Sequence, residues 1–189
     1  MKLLIPALVL GALCVAGANA AGTDPSVTLT TSKGVITIQV YQKEAPITAG
    51  NFLDLVKRGF YKNMVFHRVE QNPPMVQTGD PLGNGTGGFI DPKTHRERTI
   101  PLETKPSLKH DAAGVVAMAR APEPNTASSQ FYITTAPIPY LDGGYAVFGR
   151  VVKGLDVVMK IRKGDKFISA KLVSGKATAK APVKARAKK

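Results

Sequence analysis

Apolar and polar positions alternate through residues 27–40, where Val27, Leu29, Ile36, Ile38 and Val40 recur at every second place among threonines and other polar side chains. A period of two puts such residues on one face of a strand. Ser32-Lys33-Gly34 interrupts the alternation midway, so the segment predicts a β-hairpin with one buried face. The period changes over "APITAGNFLDLVKRGF" (45–60), where Phe52, Leu55 and Val56 recur at helical spacing. Thr48 is expected to cap this helix, Ile47 and Phe52 to close a hydrophobic staple, and Gly59 to end it.

Shorter apolar runs follow at 64–69, 75–77, 115–119, 131–134 and 146–152, each of strand length and bounded by Gly- or Pro-containing segments. A second short helix fits 155–161, with Leu155, Val158 and Met159 on one side and Gly164 beyond its end. "FISAKLV" (167–173) reads as a last strand. Seven or eight strands with two helices and no β–α alternation predict a mainly β fold. The expected architecture is a closed eight-stranded antiparallel β-barrel capped by two α-helices, without internal repeats.

The two ends depart from this pattern. "MKLLIPALVLGALCVAGANA" places Lys2 before an apolar run from Leu3 to Val15 and finishes in Ala18-Asn19-Ala20. That is the layout of a secretory signal peptide over residues 1–20, cleaved after Ala20, and the run is short for a membrane span. The expected location is therefore periplasmic or secreted. Cleavage removes Cys14, the only cysteine, and with it any disulfide or thiol nucleophile. Residues 175–189 hold six Lys/Arg and no acid, and are expected to form a disordered basic tail. Such a tail suits contact with nucleic acid or an anionic surface, or simple solubility. Lys2 and the tail supply seven of the formal +13, so residues 21–174, the expected folded domain, are only moderately basic. With 189 residues the chain can build one sizeable core without staples.

Few segments suggest chemistry. "GNGTGG" (83–88) matches G-x-G-x-x-G, but "FIDPKTHRERTIP" follows it, with two prolines and no helical period. A dinucleotide site needs a helix there, so a flexible surface loop is the expectation. His67, His95 and His110 lack the spacing of a metal pair, and no serine sits in a nucleophile elbow. No metal or cofactor is expected. In "FHRVEQNPPMVQTGDP" (66–81), strand alternation points His67 away from Phe66 and Arg68, so His67 reads as packing. Arg68 taken alone reads as a solvated or salt-bridged surface residue.

Larger blocks change that reading. In chain order they are "APITAGNFLDLVKRGFY" (45–61), "FHRV" (66–69), "MVQTGDP" (75–81), "GNGTGG" (83–88), "GVVAMAR" (114–120), "NTASSQFYITT" (125–135) and "YLDGGYAVFGRVVKGLDVV" (140–158). Together they resemble the cyclophilins, a family of peptidyl-prolyl cis–trans isomerases, here of a bacterial exported type, over residues 27–173. The resemblance implies a barrel with two helices. It implies an enzyme that speeds rotation about X-Pro bonds in unfolded or extended polypeptides, assisting protein folding without metal or nucleotide.

Position by position, the resemblance implies that Arg68 is the catalytic donor and Gln77 its partner. Met75, Phe131, Tyr132 and Leu141 would form or support the proline pocket. Ala119 and Arg120 would form the peptide-binding edge, with Arg120 in place of an asparagine of many eukaryotic members. Gln130 and Tyr145 would line the same groove. Tyr140 stands where many eukaryotic members carry a tryptophan that helps bind cyclosporin, which implies weak binding of that inhibitor. The turn after "FHRV" is one residue longer than usual and puts Pro74 where an aromatic pocket wall is expected, implying a shallower pocket. A catalytically weak proline-peptide-binding chaperone on the same fold is the alternative. The expected partners are proline-containing polypeptides, and the expected state is a monomer.

Overall fold

The computed structural model describes residues 24–173; the expected signal peptide and basic tail lie outside the described residues. β1 (Ser26–Thr31) and β2 (Gly34–Val40) form the anticipated hairpin around Ser32-Lys33. Val27 opposes Ile38 and Leu29 opposes Ile36, so the apolar positions of both strands share one fully buried face.

Helix α1 (Pro46–Lys57) begins two residues before the expected cap. Proline suits a first turn because its fixed φ is helical and its missing N–H would have had no helical partner. Ala45, at the N-cap position, has no side-chain acceptor. Glu103 supplies one from far along the chain: its carboxylate oxygens accept the N–H groups of Ile47 (3.2 Å) and Thr48 (2.8 Å), at the positive end of the helix dipole. Thr48 thus lies buried inside the first turn and Ile47 is half-exposed, so neither the predicted cap nor the predicted staple forms. The other end follows the sequence. Gly59 adopts φ +67° and donates to Val56 O, while Phe60 donates to Leu55 O, each at 3.0 Å, which is a Schellman closure.

The remaining elements are β3 (Lys62–Val65), β4 (Arg68–Gln71), β5 (Pro74–Thr78), β6 (Val115–Met118), β7 (Phe131–Thr134), β8 (Val147–Lys153), α2 (Leu155–Lys160) and β9 (Lys166–Leu172). Nine strands of the described residues make one sheet in the order β3-β9-β1-β2-β8-β6-β7-β5-β4. This corrects the expected closed eight-stranded barrel: the sheet is an open, strongly curled half-barrel. The cause lies at Phe66-His67. The apolar run 64–69, expected to be one strand, breaks there, and β3 and β4 become the two edges of the sheet. A two-residue link holds those edges within about 11 Å. Thr78 on β5 helps span the gap, its hydroxyl donating to Val65 O on β3 at 2.9 Å.

Inside the curl, Phe52 of α1 packs with Tyr61, Phe131 and Phe148 at ring separations of 5.0–5.4 Å. In α2 only Val158 of the expected apolar trio is buried; Leu155 and Met159 are exposed, and Val157 packs on the core instead. The other face of the sheet carries a second apolar cluster of Met75, Val115, Ala117, Tyr132, Ile138 and Val147. Strand alternation produces both clusters, since Val76, Val116, Phe131 and Phe148 are their inward neighbours.

Candidate active site

Antiparallel register lines up Arg68, Gln77, Tyr132, Ala117 and Val147 as directly opposed residues on β4, β5, β7, β6 and β8. They share the outer face. Glu70, Met75 and Thr134 form the adjacent row. Met75, Tyr132, Ala117 and Val147 are almost completely buried and make an apolar floor. Ala119, Leu141 and Tyr145 pack against that floor, with Leu141 carried on a 3-10 turn, Pro139–Leu141.

Arg68 stands at the end of this floor under tight control. Its Nε and Nη2 donate to the two carboxylate oxygens of Glu70, each at 2.8 Å, and Nη1 donates to Gln77 Oε1 at 3.3 Å. The Glu70 hydrogen bonds push the Arg68 pKa up and hold the Glu70 carboxyl below its ordinary value. A guanidinium has five N–H groups. Three are engaged here, and two remain on Nη1 and Nη2. Gln77 in turn donates to Gln130 Oε1 at 2.8 Å, and Gln130 donates to the carbonyls of Gly87 (2.8 Å) and Gly85 (3.0 Å). The glycine-rich segment 83–88 is therefore not the free loop expected from sequence. Asp80 fixes its other side by accepting the N–H groups of Leu82, Asn84 and Gly85.

A third network underlies the floor. The Tyr132 hydroxyl lies 2.8 Å from His110 Nε2, and His110 Nδ1 lies 2.9 Å from Asp142 Oδ1. The same Asp142 oxygen accepts the His110 backbone N–H at 2.8 Å, and the His110 carbonyl accepts from Ile138. His110 is fully buried. All four of its polar groups thus join the floor to the turn bearing Leu141. Burial pushes the Tyr132 phenol well above its ordinary pKa. For Asp142 burial acts upward, but the two His110 hydrogen bonds outweigh it and the carboxyl is held low.

An oriented cationic donor at the end of an apolar floor is suited to stabilising a rearranging amide. Residues 26–183 match the family model described as cyclophilin type peptidyl-prolyl cis-trans isomerase/CLD. The chain belongs to this family. It is 46% identical over 140 residues to peptidyl-prolyl cis-trans isomerase CYP18-2 of Arabidopsis thaliana, covering 74% of this chain and 82% of the relative. It is 47% identical over 131 residues to peptidyl-prolyl cis-trans isomerase-like 1 of Aspergillus fumigatus, covering 69% and 78%. A crystal structure of a Cryptosporidium parvum cyclophilin type isomerase, described as in the presence of dipeptide Ala-Pro, superposes with a TM-score of 0.71. It shares 30% identity, over 79% of this chain and 99% of that one.

Within this cyclophilin, Arg68, Gln77, Met75, Tyr132, Leu141, Tyr145, Ala119 and Gln130 come together as the sequence suggested. Phe131 does not. It precedes Tyr132 on the same strand, faces the opposite way and is fully buried among Phe52, Tyr61 and Phe167. Tyr140 sits on the rim, 67% exposed. Pro74 begins β5 opposite Gln71, and its carbonyl accepts from Thr135 at 2.9 Å. His67 occupies the link between the sheet edges, and burial lowers its pKa. Three residues escaped the sequence reading. Glu70 had a usable signal, since it lies two places after Arg68 on one strand. His110 and Asp142 had none, because their partners are remote in sequence.

Proposed function

We propose that this cyclophilin isomerises X-Pro bonds with Arg68 as the electrophilic donor, Gln77 and Glu70 as its positioning residues, and the apolar Met75–Tyr132–Leu141 cluster as the seat of the proline ring. Rotation about an X-Pro bond is slow because it breaks amide resonance, a barrier of roughly 18–20 kcal/mol. On twisting, the prolyl nitrogen regains a lone pair that is delocalised in the planar amide. A donor aimed at that nitrogen binds the twisted form better than the flat one, and this difference is catalysis. The observation that carries the assignment is the pair of unengaged N–H groups on a guanidinium already fixed by three hydrogen bonds.

One charge-assisted hydrogen bond contributes about 1.5–3 kcal/mol. Arg68→Ala should therefore lower kcat/KM by roughly 10- to 150-fold in a peptide isomerisation assay, with both proteins shown to be folded. An unchanged rate would remove Arg68 from the chemistry. The rest of the barrier reduction falls to the apolar cluster, which holds the ring while the preceding carbonyl turns.

The same proposal places the enzyme outside the compartment of its synthesis, as a monomer acting on extended polypeptides, with weak affinity for cyclosporin. The leader-like residues 1–20 support export, and Tyr140 on the rim supports the weak inhibitor binding. Mass spectrometry of the expressed protein tests export: a mature chain starting after Ala20 is expected, and an intact cytoplasmic one would refute it.

A further inference from the structure

We propose that Arg120 is a specificity-determining residue that selects proline segments bearing an acidic side chain, Asp or Glu, close to the isomerising bond; this rests on the apolar Met75–Tyr132–Leu141 cluster being the proline seat. Arg120 is locked in place. Its Nε donates to Gly144 O at 2.9 Å, and Nη1 donates to Ala121 O at 2.9 Å and Pro122 O at 2.7 Å. Its guanidinium carbon lies 4.7 Å from the centre of the Tyr145 ring, and that ring stands edge-on to Tyr132, 6.0 Å away, in the apolar floor.

Every one of those partners is neutral. Among the described residues no carboxylate lies within 4.0 Å of Arg120, and both hydrogens of Nη2 are unengaged. Glu70 is paired with Arg68, and Asp142 is hydrogen-bonded to His110. Arg120 is thus an uncompensated cation, ordered in advance, beside Ala119 and Tyr145. A peptide carboxylate arriving there gains a charge-assisted contact without having to order the arginine first. A lysine in the same place meets a like charge.

The test compares kcat/KM for peptides with one Xaa-Pro core and Glu, Gln or Lys placed in turn at each position within three residues of the proline. At low salt the wild type should favour Glu over Lys by about tenfold at one or more positions, with Gln between. The preference should shrink as salt rises. Arg120→Gln should bring the Glu/Lys ratio close to one, and Arg120→Lys should restore part of it. Each variant is read as a ratio of two substrates, so a partly unfolded sample does not mimic the result. A ratio near one at every position in the wild type overturns the inference, as does a preference that survives Arg120→Gln. Turnover that is blind to charge overturns this inference alone; no turnover on any peptide overturns the isomerase assignment with it.

Discussion

Replacing Tyr132 by phenylalanine tests the network beneath the proline seat. The substitution keeps the ring and removes one oxygen, the partner of His110 Nε2 at 2.8 Å. His110 is fully buried, so no solvent reaches the nitrogen left behind. An unsatisfied buried polar group costs about 1–3 kcal/mol. For a domain of this size each kcal/mol moves Tm by roughly 2–4 °C, so a loss of about 2–12 °C is expected. The diagnostic step repeats Tyr132→Phe in a His110→Met background. There the phenol is the group without a partner, and its removal should stabilise the protein. The sign of the effect therefore reverses between the two backgrounds. Urea unfolding followed by far-UV circular dichroism measures all four proteins, which is convenient because the chain has no tryptophan. If Tyr132→Phe has the same effect in both backgrounds, within about 0.5 kcal/mol, the hydrogen bond contributes nothing and the reasoning fails.

Glu70→Ala frees the Arg68 side chain and should lower kcat by about three- to tenfold with little change in KM, since part of the arginine's rotamer freedom returns. In an Arg68→Ala background the same change should do nothing further, and independent multiplicative losses in a kinetic double-mutant cycle would refute the positioning role. Asp80 predicts a pH dependence of stability. Burial pushes its pKa up, but the backbone N–H groups of Leu82, Gly85 and Asn84 outweigh this and hold the folded value below 3.8. Its contribution is complete above the unfolded value and is lost as pH falls through the lower folded one. Asp80→Asn should therefore flatten the acid limb of a plot of urea midpoint against pH below about pH 4, and an unaltered limb would exclude it.

Local rules carried far in this chain, and distance set their limit. The β1–β2 hairpin was legible because a period of two and a turn signal lie in one window. The end of α1 was legible because Gly59 acts on its own neighbours. The start was not, because its cap comes from Glu103, 55 residues beyond Thr48. The break at Phe66-His67 was hidden in an unbroken apolar run, and with it went the distinction between a closed barrel and an open curled sheet. In the site, family likeness located Arg68 and Gln77, while strand parity would have separated Phe131 from Tyr132, since adjacent strand residues cannot share a face. His110 and Asp142 were beyond reach: the contacts that give them meaning span 22 and 32 residues.

Strand β4 has a ladder partner on one side only, β5, and the connection between them is the pair Asn72-Pro73. That short connection fixes Arg68 opposite Gln77. A slip of that pairing by one step would send the guanidinium to the far side of the sheet. The aim of this guanidinium thus rests on a register held by hydrogen bonds along one edge only.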